Sequence, residues 1–486
     1  MNKTRSISAA LVLGAVVPVI FADIRPKACG AMDIGDRREL FLDHLLVERM
    51  EGDAHLHQHR PVPREVAIVH DAPWEGDTSL CHTVFLDGDV YRMYYRASGG
   101  KNSAANPRIG YAESVDGIHW RKPELGLVEF DGSSVNNLIL DANPKVGTGA
   151  FTPFRDDNPE SPADARYKAI AEMGAAALYA YKSHDAIHWR VMNNGKPILI
   201  PHGKIELASG KPHFFDSQNL VFWDGLRKRY VMYFREWDGR LRMIRTITSK
   251  DFEHWEIDDS ERLSYPGADI YRGGVQLYTS AVQPYARAPH IYIGFPTRLL
   301  ADESTEPYFM TSRDGLSFHY WGDSPLIPKD APKERGGNRA NYMEWGLVPT
   351  GDKEFSVYAS EGYSDVGESR LRRFTYRTDG FASVRSLEKG GELLTKALLF
   401  SGQKLEVNFS TLSDRGRILV ELQDTQGVPI PGFELKNCDP LTGDKIRHVV
   451  TWGGRPSLPE LTGKPVRLRF VMRDADLYSI KFEKTK

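Results

Sequence analysis

The sequence predicts an all-β protein: a five-bladed β-propeller followed by a C-terminal β-sandwich. Three observations carry that expectation. The first is one segment written five times with variations. The copies are Ser114-Val115-Asp116-Gly117-Ile118-His119-Trp120, Ser183-His184-Asp185-Ala186-Ile187-His188-Trp189, Ser249-Lys250-Asp251-Phe252-Glu253-His254-Trp255, Ser312-Arg313-Asp314-Gly315-Leu316-Ser317-Phe318 and the decayed Arg377-Thr378-Asp379-Gly380-Phe381. From aspartate to aspartate the steps are 69, 66, 63 and 65 residues, a period that marks a repeated structural unit. The second is that each copy follows an aromatic-rich alternating stretch, such as Tyr91-Arg92-Met93-Tyr94-Tyr95-Arg96 or Tyr167-Lys168-Ala169-Ile170-Ala171-Glu172, with later ones at 230–236, 291–296 and 355–361. That pattern reads as strand rather than helix. The third is that the repeat stops near residue 386. Short alternating runs at 404–409, 417–422 and 466–472, broken by Gly and Pro, then read as a small sandwich.

Within a unit, a further apolar run ends in a turn ahead of the aromatic strand: 83–86 before Asp87-Gly88, and 219–223 before Asp224-Gly225. Strand, turn, strand, loop, strand, Asp-turn, strand makes a four-stranded antiparallel blade, and five blades close a ring. The Ser and Asp side chains suit the capping of a tight turn, while the Trp suits packing between blades. Five acids at equivalent places in five blades are structural, because they cannot all be catalytic. The division that follows is a leader at 1–28, an N-terminal extension at 29–64, the propeller at 65–388 and the sandwich at 389–486. Residues 39–47 of the extension read as a short strand that closes the ring.

Lys3 and Arg5 precede an apolar stretch at 7–22, which reads as an export signal and places the mature protein outside the cell or in the periplasm. No second segment approaches the roughly 18 apolar residues of a membrane span. At 486 residues the chain exceeds one ordinary domain, and a net charge of −2 argues against nucleic acid or an acidic membrane surface as partner. The three cysteines, Cys29, Cys81 and Cys438, are odd in number and lack metal-ligand spacing. His55, His57 and His59 alternate, which on a strand puts three imidazoles on one face. Without an acidic or Cys neighbour they read as a polar face rather than a metal site. No metal and no cofactor is expected, and nothing in the sequence sets an oligomeric state.

Topology narrows the search for chemistry. In a propeller blade, residues approaching the first strand and residues leaving the second converge on one mouth of the central channel, where pockets form. Acids that meet this test are Glu75, Asp77, Asp216, Asp269 and Glu344 at first-strand approaches, with Glu172, Glu236 and Glu361 at second-strand exits. Arg96, Arg235, His213, Asn219, Arg272, Arg298 and Asn341 arrive beside them, and Trp74, Trp237, Tyr271 and Trp345 offer flat apolar faces. Asp87, Asp156, Asp157, Asp224 and Asp352 belong to the opposite rim. Several carboxylates around one mouth suit hydrolysis of a glycosidic bond: one carboxyl protonates the departing oxygen, and another activates water or attacks the sugar. Crowding raises a neighbour's pKa and keeps an acid protonated. Competing readings are Arg–acid pairs that only hold loops together, a noncatalytic glycan-binding propeller and a protein-interaction scaffold.

The Asp-turn after a strand such as Tyr230-Val231-Met232-Tyr233-Phe234 resembles the blades of five-bladed propeller glycoside hydrolases, the invertase-like and arabinanase-like furanosidase superfamily. The stretch from about residue 391 resembles the accessory sandwich of the invertase group. The resemblance implies that the first three blades supply an aspartate base or nucleophile, a pKa-tuning aspartate and a glutamate acid. Asp77 is the counterpart of the first, and Asp216 stands where blade three would place its acid. Blade two has no acid at its first-strand approach, which leaves Glu172 as substitute. The Asn-Asp-Pro-Asn-Gly, Arg-Asp-Pro and Glu-Cys segments of invertases are missing, so the chain reads as a divergent branch. The Asp-turns also resemble sialidase Asp-boxes, but those run one residue longer and usually sit on six blades. The expectation is an exported glycosidase acting on an oligosaccharide or polysaccharide, with Asp77 as base or nucleophile, Asp216 as its partner and Glu344 next as acid. Trp74, Glu75, Arg96, His213, Asn219, Arg235, Glu236, Tyr271, Arg272, Asn341, Trp345 and Glu361 are the expected substrate-binding residues.

Overall fold

Alternating aromatic and β-branched residues bounded by Gly, Asp and Pro turns leave little for a helix to use, and the computed structural model contains no α-helix among its described residues, only single 3-10 turns. Those residues are 30–99, 107–143, 145–174, 176–201, 214–237, 240–268, 270–271, 273–330, 340–363 and 369–484. The proposed leader at 1–28, Cys29, His213, Asp269 and Arg272 lie outside them.

The repeat region folds into antiparallel sheets in chain order. The first sheet orders Leu80–Asp87, Val90–Ala97, Arg108–Ser114 and Leu138–Leu140. The second orders Gly149–Arg155, Tyr167–Met173, Ala177–Ser183 and Arg190–Val191, and the third Leu220–Asp224, Arg229–Trp237, Arg242–Ser249 and Glu261–Arg262. The fourth repeat is split. Gln276–Thr279, Thr297–Leu299 and Thr305–Pro307 form one ladder, while Gln283–Tyr285, Ala288–Gly294, Phe309–Ser312 and Phe318–Trp321 form another. Pro296 lacks an N–H to give the ladder, and Ala281 on the facing strand adopts φ +42°, so the pairing breaks there. The fifth sheet takes Val348–Gly351, Glu354–Glu361 and Arg370–Arg377 and completes itself with Val62–Val69 from far upstream. Residues 39–47, which the sequence assigns to ring closure, go elsewhere: Arg38–Leu40 pairs with Ala475–Glu483. The segment is apolar on both sides: Leu40 and Leu42 pack into the core of the repeats, and Phe41, Leu46 and Val47 into the C-terminal core.

The Asp-turns close as their chemistry predicts. Ser114 Oγ accepts the Gly117 N–H at 2.9 Å, and Asp116 Oδ1 accepts those of Ile118 and His119, both at 2.8 Å. Asp185, Asp251 and Asp314 repeat the pattern. The residue after each aspartate lies in the left-handed region, with Gly117 at φ +71° and Gly315 at +83° but Phe252 at +72°. Phe252 offsets that strain by full burial against Phe154 and Tyr230. A tyrosine of the neighbouring sheet then grips the turn. Tyr94 of the first sheet donates to Ala186 O in the second-repeat turn (2.9 Å), Tyr233 of the third to Gly315 O (2.7 Å) and Tyr358 of the fifth to Gly117 O in the first (2.5 Å). Trp189 wedges between Tyr94 and Phe151, as expected of a tryptophan between sheets.

The decayed fifth copy has changed its task. Asp379 is buried and accepts bonds from Tyr285 Oη (2.7 Å), Arg287 Nε (2.8 Å), Asn408 Nδ2 (2.9 Å) and Ser479 Oγ (2.7 Å). It thus ties the fourth repeat to the C-terminal strands. Those strands form two further antiparallel sheets around Val407, Phe409, Leu422, Phe470 and Ile480. Val47–Gly52 joins one and His55–Gln58 the other. His57 Nε2 meets Arg385 Nη1 at 2.8 Å and His59 Nε2 meets Ser383 Oγ at 2.9 Å. No three His, Cys, Asp or Glu side chains are grouped to hold a metal among the described residues. Nor is any helix there long and apolar enough to cross a membrane.

Asp185→Ala is expected to lower stability by about 1–2 kcal/mol through the lost turn cap, read as an earlier urea midpoint; an unchanged midpoint would remove the capping role. Partial burial raises the Asp116 and Asp185 carboxyls, but hydrogen bonds from the following backbone and from His119 and His188 outweigh it and hold both well below 3.8. Their contribution is therefore complete above pH 3.8 and lost as pH falls further. Below that value the wild type and Asp185→Ala should converge in stability.

Candidate active site

Residues from five repeats line one cavity. Leu80, Cys81 and Arg96 come from the first sheet, and Ala150 and Glu172 from the second. Asp216, Ser217 and Gln218 lie on the approach to the third, Tyr278 and Thr279 on the fourth, and Tyr342, Met343, Glu344 and Tyr363 on the fifth repeat. Two inner strands begin with a bulge that bends the chain into the cavity: Cys81 adopts φ +59° and Ala150 φ +44°, each at a register shift. Gly149 makes room for the second-sheet acid, since a Cβ there would stand 2.0 Å from Glu172 Oε1.

Glu344 is carried on a seam between the fifth and first repeats. Trp345 N donates to His82 O at 3.2 Å and Val84 N to Trp345 O at 2.9 Å. Gly346, at φ +144°, permits this approach, because a Cβ would lie 2.4 Å from Val84 O. The Glu344 side chain is buried and Oε2 accepts the His82 N–H at 2.8 Å. Burial pushes its carboxyl up to about 8, against the pull of that N–H and of Arg96. Asp216 is different: its side chain is 49% exposed, and Oδ2 accepts from Tyr278 Oη at 3.1 Å with Arg235 Nη2 at 3.5 Å. The Tyr278 ring carries Arg235 at 4.8 Å and Arg242 at 5.2 Å from its centre. Arg96 donates twice to Thr78 O (3.0 and 2.7 Å) and stands over Tyr363. The result is a cavity with one buried acid, one half-exposed carboxylate, a third carboxyl on Glu172 and three tyrosine walls.

Of the residues expected to act, Asp216, Glu344 and Arg96 line this cavity, and so does the reserve Glu172. Asp77 does not; it is exposed on the loop before the first strand, outside the cavity wall. Glu75 turns inward, buried, to accept from Tyr95 Oη (2.5 Å), Lys122 Nζ (2.6 Å) and Ala72 N (3.0 Å). Trp74 donates to Asn137 Oδ1 at 2.8 Å and packs on Phe130. Glu236 pairs with Arg245 (3.1 Å) and Arg262 (2.6 Å), and Glu361 with Arg370 (2.9 Å) and Arg372 (2.7 Å), so both are spent on cross-strand ion pairs. Asn219 holds the loop ahead of it through Phe215 O and Ser217 O. Asn341 reaches toward Thr305 O and Pro328 O. Tyr271 packs on Tyr265. Trp345 is buried with Nε1 on Val282 O, a core residue rather than a stacking platform. Arg235 is 1% exposed and acts from behind Tyr278 and Asp216. Cys81, Tyr278, Tyr342 and Tyr363 were not placed at the site by the sequence. Tyr342 and Cys81 sit beside residues that were, one and four positions from Asn341 and Asp77, and the bulges decide which neighbour faces inward.

No family model matches the sequence, and no curated protein matches it. Among solved structures the chain is similar to glycoside hydrolases, the group its Asp-turn sequence resembles. One is a family 43 arabinoxylan arabinofuranohydrolase from Bacillus subtilis, at 12% identity over 85% of this chain and 97% of that one, TM-score 0.43. Another is a fructofuranosidase from Schwanniomyces occidentalis, at 12% identity over 88% and 98%, TM-score 0.41. A third is a thermostable family-43 glycoside hydrolase, at 15% identity over 66% and 96%, TM-score 0.45.

Burial pushes the Cys81 thiol up to about 12, with Arg96 opposing and the Glu344, Glu172 and Asp216 charges adding to it. The thiolate is the reactive form, so Cys81 should resist iodoacetamide at pH 8 in the folded protein and react on unfolding. Peptide mass spectrometry measures this; rapid alkylation of Cys81 in the native state would contradict the buried setting.

Proposed function

We propose that this protein is an exported glycosidase built as a five-bladed propeller with a C-terminal β-sandwich, cleaving a glycosidic bond of an oligosaccharide or polysaccharide in the cavity where the repeats meet. The observation that carries the reading is that Glu172, Asp216 and Glu344 reach one cavity from three different repeats, among tyrosine faces suited to sugar rings. The ring is supported by the Tyr358–Gly117 bond, which joins the fifth repeat to the first in the manner that Tyr94–Ala186 joins the first to the second. The charged and apolar pattern of residues 3–22 supports export.

Glu344 takes the part of general acid, because its carboxyl keeps a proton at neutral pH. Asp216, open to the cavity and held by Tyr278 Oη, takes the part of base on water or nucleophile. Glu172 is the third carboxyl, placed to influence the other two. Arg96 and the tyrosines orient the sugar.

Glu344→Gln and Asp216→Asn should each lower kcat by about 10²–10⁴-fold, the scale of acid–base residues, with folding retained, whereas Asp77→Asn should leave turnover near wild type. Activity should fall on the alkaline side as pH rises through about 8, where Glu344 gives up its proton. Assays of sugar release over a broad glycan panel test the reading. Binding without release, unaffected by either variant, would instead identify a noncatalytic glycan-binding protein.

A further inference from the structure

A line of buried hydrogen bonds runs behind Glu344, and its directions can be read from one end. The Ser369 hydroxyl donates to Ser79 O at 3.1 Å, so it meets His70 Nδ1, 3.0 Å away, with a lone pair. His70 therefore carries its ring proton on Nδ1 and offers Nε2 as acceptor. That Nε2 lies 3.0 Å from His82 Nε2, which must supply the N–H. Both rings are buried, and burial holds both imidazoles below their usual range, His82 down to about 3, so neither takes a second proton. His82 Nδ1 is then a bare lone pair, and it faces Glu344 Oε1 at 3.4 Å. Neither of these two buried atoms has a hydrogen bond to another group among the described residues. Two lone pairs facing each other away from water repel; a proton on Oε1 converts the contact into an attraction.

We propose that the directed chain from Ser79 O through Ser369, His70 and His82 fixes Glu344 as a neutral carboxylic acid whose proton rests on Oε1, with His70 and His82 as positioning residues. Oε2 stays the acceptor of the His82 N–H. Tyr95 stacks on His82 and lies tilted against His70, 5.4 and 5.2 Å between ring centres, and the two imidazole planes stand 28° apart. The charged groups facing Glu344 from the cavity are Arg96, Glu172 and Asp216, with the Cys81 thiol beside them. Arg96 favours the ionised acid, and the tautomer chain opposes it from the other side. The use of this proton in bond cleavage rests on the reading of Glu344 as general acid; its presence does not.

Infrared spectroscopy tests the proposal without turnover. At pH 7, where ordinary carboxyls are ionised, the folded wild type should show a protonated-carboxyl C=O band that is absent in Glu344→Gln. Ser369→Ala frees His70 to move its proton to Nε2, which turns His82 Nδ1 into a donor and favours a carboxylate; the band should be lost at pH 7 there and kept in Ser369→Thr. No Glu344 band in the wild type, or a band that titrates alike in the wild type, Ser369→Ala and Ser369→Thr, overturns the chain. Normal turnover in Glu344→Gln with the band assigned defeats the catalytic reading alone, while a Glu344 band that persists at pH 7 in Ser369→Ala, with turnover lost in Glu344→Gln, defeats this proposal alone.

Discussion

The tyrosine hydroxyl that grips a neighbouring Asp-turn is the contact on which the rest depends. Tyr94, Tyr233 and Tyr358 each span two sheets with one bond, and each is buried, so its hydroxyl must find an acceptor. The acceptor is the carbonyl of a residue whose left-handed backbone is enforced by the Ser and Asp side chains of the turn. Loss of the cap would release both the turn and the grip. Because these bonds lie in the aromatic middle layer, they set the spacing of the sheets, and that spacing brings inner-strand ends within reach of one cavity.

How much of this was legible depends on whether the signal was local. The Asp-turns were, because Ser, Asp and the residue after them act within four positions. The break in the fourth repeat follows from Pro296 but shows only when the facing strand is known. The site acids divide by a cross-strand neighbour that no local reading supplies. Glu361 stands directly opposite Arg370, and Glu236 has Arg245 two places along the facing strand, so both acids are neutralised within their sheets. Glu172 stands opposite Leu178 and lines the cavity instead. Glu75 was misread for a similar reason: Lys122, 47 positions away, draws it inward.

Charge inside the molecule is spent mainly on joining its parts. Glu39 is buried with Arg313 at 2.7 Å and the His290 ring at 3.0 Å; burial alone would raise its carboxyl, but these two neighbours bring it down to about 2. Arg38 pairs with Glu406 while Asp379 gathers Arg287, Asn408 and Ser479. Such clusters are directional, and an apolar seam of equal area would not fix how the N-terminal segment crosses the fourth repeat. The site keeps a different economy, with Glu344 left among uncharged imidazoles so that its proton is retained.

The completion of the fifth sheet by Val62–Val69 has a consequence for biogenesis. Arg373 and Glu65, paired across that ladder, are 308 positions apart. Loop-closure entropy rises only slowly over such a length, but the contact cannot form until both partners exist and are brought together. A nascent chain released before residue 370 would carry an unpaired edge on its fifth sheet and a free upstream strand, the two halves of an aggregation contact. That ladder is thus a checkpoint on completion of the repeat region, written into the order of the strands.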